Sequence, residues 1–159
     1  MKSADLKQHA LKLLEMSKKF LAEDGGLDPT AFIITAGDQI LRPIELENEG
    51  AKFESCKKIV EEAQRRKALA IITIFLARSA DFSEKDFDQA SYSWGDIQYG
   101  STDRSILLTV SGPGVKNWAA ALPFTVTRAK IAFRDLVEFG EGVDLGLFPG
   151  WSEQIIPRA

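Results

Sequence analysis

Apolar residues recur at helical spacing from the start of the chain: Leu6, Ala10, Leu13, Leu14 and Leu21, with Met16 and Phe20 nearby, form a stripe, and lysines and glutamates fill the other side. Ser3 is a suitable N-cap for this helix and Asp24-Gly25-Gly26 ends it. The period then changes. Ala31-Phe32-Ile33-Ile34-Thr35 and Gln39-Ile40-Leu41 bracket Ala36-Gly37-Asp38, the pattern of a tight hairpin between two short strands, and Pro43 closes the second strand. From Glu49 to Lys67 a second amphipathic helix sets Phe53, Cys56, Ile59, Val60 and Ala63 on one face. Glu49 stands at its positive end and Arg65-Arg66-Lys67 at its negative end, as the helix dipole favours. Ala68 to Leu76 is almost free of polar side chains and rich in β-branched residues, which reads as a core strand covered on both faces.

A further strand runs from Ser105 to Val110, and Gly112-Pro113-Gly114 turns it toward Asn117 to Val126, where Trp118, Ala120, Leu122, Phe124 and Val126 alternate onto one face. Pro123 cannot donate to a ladder, so this strand lies at an edge or carries a bulge there. Arg128 to Phe139 admits two readings: Ile131, Ala132, Asp135 and Leu136 suit a terminal helix, whereas Ala129, Ile131 and Phe133 suit a strand past a bulge. The resulting order, α-β-β-α-β-β-β with a possible terminal helix, predicts an α+β fold with a single antiparallel sheet and flanking helices. Residues 1–142 form one domain in this reading. Residues 143–159 are a tail carrying Leu145, Leu147, Phe148, Trp151, Ile155 and Ile156, too much apolar surface to leave in water, and it is expected to dock on its own or a neighbouring subunit. At the level of element order the chain resembles the profilin, longin and roadblock arrangement of regulatory modules. The roadblock-like order implies that Ala68–Leu76 lies at a sheet edge and that the Pro123 strand lies in the middle.

Composition narrows the class. The 159 residues are 45% hydrophobic and 27% charged, which fits one folded domain with a core of its own. A net charge of -3 and a pI near 5.3 argue against a protein built to hold phosphate backbones, so nucleic acid is not an expected partner. The longest apolar run, Ala68–Ala77, is too short for a membrane-spanning helix, and a lone cysteine needs no oxidising compartment, so a cytoplasmic location without membrane association is expected.

Chemistry is constrained by a single histidine, His9, and a single cysteine, Cys56. Imidazole is the usual general base near neutral pH and the commonest metal ligand, so its scarcity leaves carboxylates, lysines, tyrosines and hydroxyls. His9 lies at the margin of the first helix's apolar stripe and reads as structural. Cys56 falls within the apolar face of the second helix, where burial makes a thiol inert. Gly112-Pro113-Gly114 sits between strands and reads as a turn, not a phosphate loop. Lys57, Lys58, Arg65, Arg66 and Lys67 mix with Glu54, Glu61 and Glu62 as on a solvated helix face.

The segment from Arg78 to Arg104 is the strongest candidate for binding. It interleaves Asp81, Glu84, Asp86, Asp88, Asp96 and Asp103 with Phe82, Phe87, Tyr92, Trp94 and Tyr99, and connections of that length are uncommon unless functional or separately structured. Its candidate binding residues are Asp81, Glu84, Asp86, Asp88, Tyr92, Trp94, Asp96 and Tyr99. Asp86 and Asp88 share a side in an extended segment, but the glycine and late glutamate of a calcium loop do not follow, and no metal or other cofactor is expected. Phe148 and Trp151 are the candidate interface residues, because an aromatic pair on a kinked tail suits a pocket. These features together predict a non-catalytic binding or assembly module, homodimeric and open to a protein partner. The alternative is a small carboxylate-dependent enzyme, with or without a divalent cation, centred on residues 78–104. A sensor with an apolar pocket between sheet and helices is a third option.

Overall fold

The structure is a computed structural model, and it describes residues 3–78, 104–113, 115, 117–127, 130–141, 148 and 151. Helix α1 (Ser3–Asp24) is followed by β1 (Thr30–Ile34), β2 (Gln39–Pro43), helix α2 (Glu49–Arg65), β3 (Ala70–Arg78), β4 (Arg104–Ser111), β5 (Trp118–Thr127), β6 (Lys130–Phe133) and β7 (Val137–Glu141). The strands form one antiparallel sheet of order β2-β1-β3-β4-β5-β6, with β7 also paired to β5. The α+β fold with a single antiparallel sheet is as the patterning predicts, and the segment after Arg128 is strand, not helix.

Alternation divides the core into two layers. Phe32, Ile34, Ile72, Ile74, Ile106, Leu108, Val110, Trp118, Leu122 and Phe124 face α1, which contributes Leu6, Ala10, Leu13, Leu14 and Leu21. Ala31, Ile33 and Ile71 face the opposite way, toward Cys56, Ile59, Val60 and Ala63 of α2. Ile71 through Phe75 are at most 1% exposed, so β3 is dry on both faces. A continuous apolar run follows directly from that position. Its polar residue, Thr73, is paired across the ladder with Thr109, and the two buried hydroxyls bond each other. An unmet buried hydroxyl would cost about 1–3 kcal/mol.

Two expectations are corrected here. The roadblock-like order implied β3 at an edge; instead it lies between β1 and β4, because β1 pairs it directly and β3, β4 and β5 follow as a meander. Met16 and Phe20 are 53% and 51% exposed, not core. At 3.6 residues per turn they fall roughly 70–110° from the centre of the buried stripe. Ser17 takes the buried seat instead, its hydroxyl donating to the Leu13 carbonyl at 2.9 Å. Phe53 lies similarly at the flank of the α2 stripe and is exposed. Val126 is exposed because β4 ends opposite Phe124, two residues earlier.

Pro123 lies inside the sheet, and the ladder accommodates it. Its carbonyl accepts from the Arg134 N–H at 2.8 Å, so its backbone faces the outer neighbour, and that is where a donor is missing. The neighbour is interrupted there: between the pairs Phe124–Phe133 and Ala121–Val137, β5 advances three residues while its partner advances four, splitting one strand into β6 and β7. The bulge alternative is therefore the one realised.

Local signals set the remaining boundaries. Gly25 ends α1 with φ +73°, and Asn48 caps α2 by accepting from the Ala51 N–H at 2.8 Å. A Cβ at Gly112 would stand 2.4 Å from the Leu69 carbonyl oxygen, so only glycine lets the β4–β5 connection pass the start of β3. At the end of α2, Ala68 N–H bonds the Ala63 carbonyl at 2.8 Å and Lys67 N–H the Gln64 carbonyl at 3.1 Å, a Schellman closure with Lys67 at φ 53°. Glycine normally occupies that left-handed position. Lys67→Gly is expected to raise stability by about 0.5–1 kcal/mol and Lys67→Val to lower it by about 1 kcal/mol, read from urea midpoints. A destabilised glycine variant would contradict the backbone account.

Candidate functional site

The margin of the sheet at β2 gathers the chemically and physically unusual groups. Its backbone direction is fixed at both ends: Thr35 N–H bonds the Asp38 carbonyl at 2.9 Å and Ile44 N–H bonds the Pro29 carbonyl at 3.0 Å. With the pairing Ala31–Arg42 and Ile33–Ile40, alternation turns the groups of Ile40 and Arg42 toward β1 and those of Gln39, Leu41 and Pro43 outward. No other described strand pairs on that side. Leu41, opposite Phe32, points to the α1 side and is 54% exposed.

The exposed flank of α1 runs alongside. His9, half-buried at the stripe margin, bonds through Nε2 to Gln39 Oε1 at 2.5 Å, which ties the helix to β2. Lys7 lies over Trp118 at the start of β5 and Lys18 over Phe133, which pairs with Phe124 further along it, so α1 runs in the same sense as β5 and β2 and antiparallel to β1. From His9 to Met16 is about 10 Å of helix, and from Gln39 to Leu41 about 7 Å of strand. Met16 and Phe20 share the flank of α1 that carries His9, while the body of the helix lies over β3 and β4.

On the α2 side of this margin lies an open groove of about 350 Å³, lined by Arg42, Pro43, Glu45, Ser55, Lys58 and Glu62 among others. Arg42 holds Glu62 in a two-pronged pair, Nε to Oε1 at 2.7 Å and the second terminal nitrogen to Oε2 at 2.8 Å, and Arg66 Nε adds a bond to Oε2 at 2.9 Å. The Arg42 hydrogen bonds hold the Glu62 carboxyl below its ordinary value of 4.5, against the opposing effect of desolvation, with Arg66 adding to the fall. The same bonds raise the Arg42 guanidinium. This network locks the edge strand to α2 and leaves Glu62 no proton to exchange near neutral pH, so it is a clamp and not an acid–base site.

Other candidates fall in different places. Asp81, Glu84, Asp86, Asp88, Tyr92, Trp94, Asp96 and Tyr99 lie outside the described residues. Trp151 is fully buried against the α2 layer with its indole N–H donating to the Ser111 carbonyl at 3.1 Å, and Phe148 is half-buried between that layer and Phe75, Leu107 and Phe139. While seated there Trp151 has no surface to offer a partner. Among the described residues no three His, Cys, Asp or Glu side chains converge, and no helix is long and apolar enough to cross a membrane. Leu41, Met16 and Phe20 were missed as a group because sequence periodicity scored the helix pair as core. The available signal was Arg42-Pro43, a charge and a proline ending a short strand, which is how a sheet edge is commonly guarded.

No protein-family model, curated protein or solved structure matches the chain.

Glu62 supplies a pH test. A depressed carboxylate contributes stability that is present above the ordinary glutamate range and lost as pH falls through the lower folded value. Both arginines are partly solvated, so the contribution is modest. Glu62→Gln is expected to cost about 1 kcal/mol at pH 7 and nearly nothing at pH 3, by urea denaturation. An equal loss at both pH values would mean the charge is irrelevant.

Burial pushes the Cys56 thiol up, outweighing the opposing influence of Lys52 and Ser55. The native protein should react with a thiol reagent at least about 100-fold more slowly than the unfolded chain. Rapid native labelling would place Cys56 outside the core of α2.

Proposed function

We propose that the protein is a non-catalytic binding or assembly module that works as a homodimer and offers a protein-binding surface. The observation that carries this reading is the β2 margin, where Leu41 leaves about half its surface in water beside outward backbone groups with no strand partner among the described residues, with Met16 and Phe20 of α1 half-exposed on the same face of the sheet. Neighbouring polar side chains there are engaged in structural roles: His9 fastens α1 to β2, and Arg42, Glu62 and Arg66 fasten β2 to α2. What is left open is apolar contact area and the outward N–H groups of Gln39 and Leu41, the Leu41 carbonyl accepting from Arg42 at 3.0 Å. Those are the currencies of protein–protein association and strand addition, not of bond-breaking chemistry.

The opposite margin is treated differently. There Phe133 stacks at a tilt on Phe124 with ring centres 5.9 Å apart, Lys18 lies over Phe133 at 5.1 Å, and Lys7 lies over Trp118 at 5.0 Å while pairing with Glu138 at 3.7 Å. Lysine stems and aromatic faces shield that side. The contrast favours the β2 margin as the working surface. Light scattering on the full chain from low to high micromolar concentration is expected to show a monomer passing to a dimer. A monomer throughout would remove the homodimeric assembly reading.

A further inference from the structure

We draw no further inference here: the strongest candidate, the open groove of about 350 Å³ between β2 and α2 lined by Arg42, Pro43, Glu45, Ser55, Lys58 and Glu62, belongs to the clamp already described, in which Arg42 and Glu62 satisfy each other, and nothing in the structure shows what would occupy it.

Discussion

The structure depends on the burial of β3 and β4 from both sides. Strands that carry apolar residues on both faces must be covered above and below: α1 covers one face of β3 and β4, and on the other α2 meets Ile71 beside β1 while Phe75, Ala77 and Leu107 pack with Val137, Phe139 and Phe148. The Thr73–Thr109 pair sits within this covered centre. Thr73 and Thr109 stand opposite each other in register, and their mutual hydrogen bond lets two hydroxyls sit in the driest part of the molecule. A slip of one residue between these strands would separate the hydroxyls and invert both apolar sets at once, so the pair and the two core layers specify the same register.

Once the centre is fixed, the edges become the remaining physical difficulty. Two helices cover a sheet this wide only in part, with α1 over β3 and β4 and α2 over β1. At the far side Pro123 deprives β5 of a donor, and the chain answers by breaking the next strand opposite it, so that β6 and β7 bond where donors exist and Arg134 fills the acceptor left over. At the near side β2 is short and ends in Arg42-Pro43. The arginine is drawn onto Glu62 of α2, which holds the edge strand down on one face, and His9 holds it from the other. The edge strand is thus tied to a helix on each face of the sheet.

Much of this was legible in the sequence for reasons that particular residues make plain. The helices, the β1–β2 and β4–β5 hairpins, and the buried run at β3 were readable because their periods differ and glycine, asparagine or proline punctuates them. The order of strands in the sheet was not, since nothing local in Ala68–Leu76 distinguishes a strand paired on both sides from one at an edge, and resemblance of element order pointed the wrong way. Met16 and Phe20 were misread for a related reason: hydrophobicity says which residues prefer burial, while the wheel angle that Ser17 occupies decides which of them obtain it. The Arg42–Glu62 clamp joins residues 20 apart whose individual positions look like ordinary surface charge, and only folding brings them together. The acidic and aromatic residues between Arg78 and Arg104 lie outside the described residues, so the candidate site that the sequence favoured and the margin that the geometry favours are different parts of the chain.

Pro43 and Arg42 together decide the character of that margin. A proline on an edge strand is a guard against pairing, and here it removes one outward donor. Arg42 adds to the guard from the neighbouring position: one terminal nitrogen donates to the outward Leu41 carbonyl at 3.0 Å while its other nitrogens hold Glu62, so the side chain that fastens β2 to α2 also occupies an acceptor of the edge. Any strand added here, a copy of β2 included, would find no N–H at position 43 and a Leu41 carbonyl already engaged, so a short edge is blunted by two adjacent residues through two different means.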